Sequence, residues 1–128
     1  MVVQVSLEKT MLTGKIKRTN TILYCRNWDA MVRFYRDVLN FVIHHQADWF
    51  VEFQIVGDTY LSIANAACAS IQSADGNGIT LSWQVEDIES AYYLLNELGV
   101  KTSRIKGIWG AKAFYFFDPE GHRIELWT

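Results

Sequence analysis

The stretch that decides the fold is residues 113–128, with the sequence AFYFFDPEGHRIELWT. It begins with aromatic, strand-prone residues and ends with the polar–apolar alternation of a half-buried strand. Between these parts, Asp-Pro-Glu-Gly at 118–121 places proline and glycine where a β-turn favours them. The stretch therefore predicts a β-hairpin whose second strand presents Arg123, Glu125 and Trp127 on one face. A carboxylate, an arginine and an indole together suggest the wall of a pocket.

Two helical segments show that the chain repeats one pattern. The first, at 30–39, follows Asn27 or Asp29, and the second, at 88–98, follows Asp87. Asn and Asp are good helix N-caps. The segments end at residues 40 and 99, an asparagine and a glycine, which accept the left-handed conformation of a helix C-terminus. These ends lie 59 residues apart (99 − 40), a period too long for a solenoid.

The predicted strands repeat in the same order as the helices. A short strand precedes each helix, and two or three strands follow it. The strands lie at 21–25, 49–55 and 59–64 around the first helix, and at 80–85, 113–117 and 123–127 around the second. The order indicates two copies of one supersecondary unit in a single domain.

These segments resemble the vicinal oxygen chelate superfamily, which includes glyoxalase I, extradiol dioxygenases, fosfomycin-resistance thiol transferases and bleomycin-binding proteins. The matching motifs are WD at 28–29, FYRDVLNF at 34–41, WQVED at 83–87 and FYFFDPEGHRIEL at 114–126. Residue 40 departs from the family, which usually has glycine there. The resemblance covers about residues 20–128. It implies an α+β fold of two βαβββ repeats, forming a curled mixed-sheet cup with the helices outside.

Length and composition agree with one domain of ordinary size. We predict a leader at 1–18 and a domain at 19–128, divided into repeats at 19–66 and 79–128 by a connection at 67–78. A net charge of −2 gives no case for nucleic acid, and no apolar run is long enough to predict a membrane partner. The start lacks a signal-peptide pattern, so we expect a cytoplasmic protein.

Strand parity sorts the side chains that line the expected cup. The large apolar residues of each strand must face the helices, so their neighbours face inward. For 113–117 parity is ambiguous, and resemblance to fosfomycin-resistance proteins turns Tyr115 and Phe117 inward; repeat symmetry then turns Phe50 and Glu52 inward. The predicted ligand-binding residues are Tyr24, Phe50, Glu52, Tyr60, Ser62, Thr80, Ser82, Gln84, Tyr115, Phe117, Arg123 and Trp127.

The resemblance also implies where a catalytic metal would sit. Metal-using relatives place His, Gln or Glu at positions that correspond here to Asn20, Ser62, Thr80 and Glu125. Only Glu125 is a competent ligand for a first-row divalent ion. We therefore predict no metal and no other cofactor.

The histidines do not change that prediction. His44 and His45 are adjacent, so in a strand they point to opposite faces, and we expect them to be exposed or partly packed. His122 follows the hairpin turn and is expected to brace it or to face solvent. Glu125 has two interpretations: a salt bridge with Arg123, or a general base or ligand anchor.

Two functions of different classes follow. The first is a metal-free protein that binds a planar or aromatic small molecule, as a homodimer, in resemblance to the bleomycin-binding branch. The alternative is a glyoxalase- or dioxygenase-like enzyme (a lyase, transferase or oxygenase) that uses Glu125 or Tyr115 as its catalytic acid–base residue, or a metal bound in an unusual way.

Overall fold

The computed structural model describes residues 11–128, apart from the side chain of Ile108. Residues 1–10 of the predicted leader lie outside the described residues. The first half contains β1 (Thr19–Cys25), α1 (Trp28–Arg33) with a π-helical continuation (Phe34–Val38), β2 (Val42–Ala47), β3 (Phe50–Val56), β4 (Thr59–Asn65) and a 3₁₀ turn (Ala66–Cys68). The second half contains β5 (Thr80–Gln84), α2 (Ile88–Glu97), β6 (Lys106–Ile108), β7 (Ala111–Phe117) and β8 (Arg123–Trp127).

The strands form two mixed sheets of four. Sheet A has the order β1-β4-β3-β2, and sheet B repeats it as β5-β8-β7-β6. In each sheet the strand before the helix pairs in parallel with the last strand, and the other pairs are antiparallel. The α+β fold of two βαβββ repeats is confirmed, and the curled sheets remain open.

Two strands, β2 and β6, were not located by the sequence patterns. The bulge in β2 shifts its register between Ile43 and His45, which interrupts the period of two. The short β6 contains Gly107, a weak strand former. Both are edge strands, at the end of the sheet opposite β1 or β5.

The first helix differs from its prediction at its N-terminus. It begins at Trp28, and the side chain of the N-cap residue Asn27 makes no capping hydrogen bond. Instead, Glu120 accepts hydrogen bonds from the backbone N–H groups of Arg26 (2.6 Å) and Asn27 (3.0 Å). The carboxylate that caps this helix therefore comes from the hairpin turn of the second repeat, 93 residues from Asn27.

The other predicted helix ends are confirmed. The side chain of Asp87 accepts a hydrogen bond from the Ser90 backbone N–H at 3.1 Å. Asn40 and Gly99 both have positive φ, at 59° and 81°. Asparagine at residue 40 thus fulfils the role that glycine has in the second repeat.

One hydrophobic core joins the two repeats. The apolar faces of both sheets contribute to it, and the first helix contacts both: Tyr35 packs on Phe53 of sheet A and Phe34 on Phe116 of sheet B. Cys25 is buried there as a free thiol. The sheet residues in the core are Leu23, Cys25, Val51, Phe53, Leu61, Ile63, Leu81, Phe114, Phe116, Ile124 and Leu126.

This core confirms the predicted strand parity. In β7, which parity left ambiguous, Phe114 and Phe116 are buried while Tyr115 and Phe117 are exposed on the other face. The described helices include none that is both long enough and apolar enough to span a bilayer.

Close packing between the chain connection and the hairpin turn explains one glycine. Gly76 has a φ of 80°, and a Cβ there would lie 2.3 Å from the backbone carbon of Gly121. Only a residue without a side chain permits that approach. Nearby, Ser73 donates a 2.6 Å hydrogen bond to Glu120, so the connection is held on the same turn that caps α1.

Candidate functional site

The face of sheet A that turns away from the core carries a polar cluster centred on Glu52. One oxygen of this carboxylate accepts hydrogen bonds from Arg18 (2.7 Å) and Asn20 (3.1 Å). The other oxygen lies 2.6 Å from Nδ1 of His44. Ser62, which is fully buried, donates a 2.8 Å hydrogen bond to the side-chain oxygen of Asn20. We call Arg18, Asn20, His44, Glu52, Tyr60 and Ser62 the Glu52 cluster.

Aromatic rings border the Glu52 cluster. The guanidinium carbon of Arg18 lies 4.2 Å from the centre of the Tyr60 ring, a cation–π contact. The His44 ring centre is 4.8 Å from the same ring. Further along the face, Tyr24 and Phe50 each stand opposite Ala64 in the strand register. The predicted residues Tyr24, Phe50, Glu52, Tyr60 and Ser62 therefore share one face of sheet A.

The environment of Glu52 keeps it ionised. Burial alone raises the pKa of this carboxyl, but the hydrogen bonds from His44 and Arg18 outweigh burial and lower the pKa below its ordinary value of 4.5. Its side chain is only 6% exposed. Glu52 is therefore a buried residue of the sheet face, as its place among the predicted inward residues requires.

His44 belongs to this cluster because of the bulge in β2. In the register, His45 stands opposite Glu52, and the shift between Ile43 and His45 leaves His44 as the extra residue. A bulge re-aims the side chain of its extra residue. His44 is exposed, as expected, with 49% of its side chain accessible, but strand parity missed its contact with Glu52. Arg18 was also missed, because it precedes the first strand.

Sheet B presents a second, more open group of predicted residues. Ser82, Glu125 and Tyr115 form one row across three strands, since Ser82 and Tyr115 both pair with Glu125 in the register. Ser82 donates a 3.1 Å hydrogen bond to the Glu125 carboxylate. The row places a hydroxyl, a carboxylate and a phenol side by side on a surface that reaches solvent.

The neighbouring row joins Thr80, Arg123 and Phe117. Nε of Arg123 donates a 3.2 Å hydrogen bond to Thr80, and the guanidinium carbon lies 5.4 Å from the centre of the Tyr115 ring. Tyr115 and Phe117 contact each other edge to face at 5.7 Å and are 39% and 53% exposed. On the other side of the row that contains Glu125, Trp127 stands opposite both Gln84 and Ala113.

The interpretation of Arg123 and Glu125 as a salt bridge is wrong. Each side chain has another neighbour across the strands: Arg123 turns to Thr80 and Tyr115, and Glu125 turns to Ser82. Residues two apart on one strand are further from each other than directly paired residues on adjacent strands. Cross-strand partners therefore prevail over the partner along the chain.

The predicted site residues thus form two groups, one on each sheet. Within residues 11–128, none of the side-chain hydrogen bonds of these polar faces joins one sheet to the other. A cavity of about 680 Å³ borders the aromatic pair of sheet B, with Tyr115 and Phe117 in its wall beside Phe34, Val38 and Val100.

The four positions that correspond to the metal ligands of relatives do not fit a divalent cation. Asn20 and Ser62 are hydrogen-bonded to each other, and Asn20 also binds Glu52. Thr80 lies beside the Arg123 guanidinium, whose charge repels a cation. Glu125 is the sole carboxylate of the four, and the described part of the chain has no group of three or more His, Cys, Asp or Glu suited to a metal.

Comparisons with known proteins agree with this architecture. A glyoxalase/bleomycin resistance protein/dioxygenase from Nocardioides is 18% identical, with a TM-score of 0.76 over 99% of this chain and 92% of that one. Lactoylglutathione lyase from Agrobacterium tumefaciens is 19% identical, with a TM-score of 0.71 over 87% and 92%. A glyoxalase family protein from Enterococcus faecalis is 25% identical, with a TM-score of 0.69 over 92% and 100%.

A comparison with curated protein sequences gives no significant match. The family model described as Glyoxalase/Bleomycin resistance protein/Dioxygenase superfamily matches residues 15–126. That range contains both repeats and every residue of the two polar faces except Trp127. The chain therefore belongs to the Glyoxalase/Bleomycin resistance protein/Dioxygenase superfamily.

Proposed function

We propose that this chain is a metal-free protein that binds a planar or aromatic small molecule on the polar faces of its sheets. The observation that carries the proposal is the exposed pair of Tyr115 and Phe117, with Arg123 beside Tyr115. Adjacent aromatic rings that reach solvent form a surface on which a flat ligand can stack. An isolated exposed ring would need no such explanation.

Polar groups next to this aromatic pair would orient the ligand. Ser82, Thr80 and Glu125 supply donors and an acceptor within the neighbouring rows, while Gln84 and Trp127 extend the same face. The cavity of about 680 Å³ has a volume usual for small-molecule sites, and it adjoins this face at Tyr115 and Phe117, whereas Thr80, Ser82 and Glu125 lie outside its wall. Small-molecule sites in proteins usually combine an apolar wall with a few polar groups.

A homodimer is part of the proposal. Sheet A and sheet B each present a polar face outside the common core, and within residues 11–128 each sheet has two edge strands that pair on one side only. A second copy that covers these edges would also enclose ligand between polar faces. Light scattering tests this: a dimer has twice the chain mass of 14.8 kDa, and a particle of 14.8 kDa at micromolar concentration would contradict it.

We propose a cytoplasmic location, which agrees with the state of the two cysteines. Cys25 and Cys68 are both free thiols, one buried and one exposed. Exposed free thiols persist in reducing compartments. The proposal includes no nucleic acid and no membrane partner.

The alternative function is a glyoxalase- or dioxygenase-like enzyme, a lyase, transferase or oxygenase. The observation that favours it is the register pair of Tyr115 and Glu125, which places a phenol opposite a carboxylate. Such a pair could transfer a proton to or from a bound substrate. The structural neighbour called a lactoylglutathione lyase shares the fold at 19% identity, and this level of similarity does not indicate that the two proteins share a substrate.

A thermal-shift screen of planar aromatic compounds tests the binding function. A ligand that binds the folded state raises the melting temperature, and a Phe117→Ser variant should lose most of that shift. Tyr93→Ser is the matched control, because Tyr93 is also an exposed aromatic residue but lies on α2. Equal loss in both variants, or a screen without any stabilising compound, would contradict the proposal.

Metal analysis separates the two functions. The purified protein should contain no stoichiometric metal, and additions of Mn, Ni, Zn and Fe salts should leave its melting temperature unchanged. A bound divalent ion that accompanies turnover would instead support the enzyme.

A further inference from the structure

The Glu52 cluster contains a histidine whose two ring nitrogens have different surroundings. Nδ1 of His44 faces the Glu52 carboxylate at 2.6 Å, while the His44 side chain as a whole is 49% exposed. A carboxylate only accepts hydrogen bonds, so Nδ1 must donate. Nε2 is then the nitrogen that is left to accept or release a proton.

The carboxylate partner is itself held in place. Arg18 and Asn20 both bind Oε2 of Glu52, so Oε1 is left to His44. Because Arg18 already supplies a positive charge at 2.7 Å, Glu52 does not need a protonated histidine to offset its own charge. A fixed carboxylate behind an imidazole selects one tautomer and stabilises the imidazolium when it forms.

The remaining surroundings of His44 define what could approach it. Of the groups that titrate or carry charge in the described chain, Glu52 faces it from β3, Tyr60 from β4 and Arg18 from the segment before β1. The Tyr60 ring is buried, with the Arg18 guanidinium carbon 4.2 Å and the His44 ring centre 4.8 Å from its own centre, so it supports the imidazole from one side. A ligand that approaches the exposed part of His44 from solvent would meet Nε2.

We propose that His44 and Glu52 form an acid–base pair whose natural ligand is a planar weak acid, such as a phenol. The ligand O–H proton moves to Nε2 as the O–H bond breaks and the N–H bond forms. The resulting imidazolium is held by Glu52, and the ligand remains bound as its anion. This inference rests on the proposed small-molecule function, and it concerns the polar face of sheet A rather than the aromatic pair of sheet B.

The test uses 4-nitrophenol, whose anion is yellow and whose neutral form is colourless. At a pH below the probe's own pKa, the native protein should increase the yellow absorbance. The pKa of the bound probe should fall by about one unit, a roughly tenfold change in the ratio of anion to neutral form. His44→Gln keeps a polar side chain of similar size and should abolish the increase.

The neighbouring His45 supplies a matched control. It is exposed, and His45→Gln should ionise the probe as the native protein does. If the native protein does not increase the yellow absorbance, whether or not the probe is bound, the proposed acid–base pair is contradicted. An increase that persists in His44→Gln contradicts it as well. A probe that binds and stays neutral overturns the acid–base pair but leaves the binding function intact, whereas absence of binding by every planar compound in the screen overturns both.

Nitrogen-15 NMR of the native protein provides an independent measurement. Neutral His44 should carry its proton on Nδ1, unlike most histidines in water, and Glu52→Gln should weaken that preference. If Glu52→Gln does not fold, the tautomer of His44 in the native protein still tests the proposed pair. A neutral His44 protonated on Nε2 would contradict the proposal.

Discussion

The hydroxyl of Tyr35 donates a 2.7 Å hydrogen bond to the carboxylate of Asp118, 83 residues further along the chain. Asp118 also contacts Nδ1 of His122 at 2.9 Å and accepts the backbone N–H groups of Glu120 and His122. All three side chains of this network, Tyr35, Asp118 and His122, are buried. His122 therefore braces the hairpin turn, and Tyr35 fastens that turn to the first repeat.

We predict that Tyr35→Phe lowers the free energy of unfolding by about 1–3 kcal/mol. The substitution removes the hydroxyl and leaves a buried carboxylate with one partner fewer, which is the costly way to lose a hydrogen bond. Urea denaturation measures the loss. Tyr93→Phe, at an exposed position of α2, is the control and should change stability by less than about 0.5 kcal/mol. Equal stability of the two variants would show that the hydrogen bond contributes nothing.

Alkaline pH should destabilise the protein through two buried acids. Burial raises the pKa of the Cys25 thiol from 9.0 to about 12, and it raises the pKa of Tyr35 well above 10.0. Both groups are neutral in the folded state. Their stabilising contribution is therefore complete below the unfolded pKa values and is lost as pH rises through the folded values.

Unfolding free energies measured across this range should fall from about pH 9 upward. Cys25→Ala should make the decline shallower between about pH 9 and 12. Cys68→Ala should not, because Cys68 is exposed. The pH dependence is the readout, since Cys25→Ala also removes core atoms and lowers stability at every pH. A decline that is identical in both variants would contradict the role of Cys25.

Acidic pH should destabilise the protein through Glu52. Its folded pKa lies below the ordinary 4.5, since bonds from His44 and Arg18 outweigh the opposing effect of burial. Its contribution is present above pH 4.5 and is lost as pH falls through the folded pKa. Glu52→Gln should therefore weaken the loss of stability on acidification, while Glu97→Gln, at an exposed helix position, should leave it unchanged. Acid titration followed by fluorescence or circular dichroism compares the two.

The sequence alone predicted the features that depend on the chemistry of neighbouring residues. The alternation of β5 and β8 predicted which side chains leave the core, because a period of two places alternate residues on opposite faces. Asp87, Asn40 and Gly99 marked three helix ends through capping and backbone preferences that act within a few residues. These signals need no knowledge of the rest of the chain.

Contacts between residues far apart in the sequence could not be predicted from these local signals. His44 reaches Glu52 through a bulge, which periodicity cannot reveal, and Glu120 caps the first helix from the other repeat. Arg123 was paired with Glu125 by proximity along one strand, yet its partners lie across the sheet. Register decides these contacts, and register follows from the assembled sheet.

The last prediction concerns Glu125, the one carboxylate among the positions where relatives hold a metal. If the site is metal-free, Glu125→Gln should leave the response to Mn, Ni, Zn and Fe salts unchanged and should alter ligand affinity instead. The reason is that Glu125 accepts a hydrogen bond from Ser82 and borders Tyr115, so its charge acts directly on a stacked ligand. Titration calorimetry with a compound from the thermal-shift screen measures the change. Ser82→Ala is the companion variant, because it removes the hydrogen bond and keeps the carboxylate.

A metal that is stoichiometric in the native protein and disappears in Glu125→Gln would contradict the interpretation of Asn20, Ser62 and Thr80. It would also move the protein to the enzyme class.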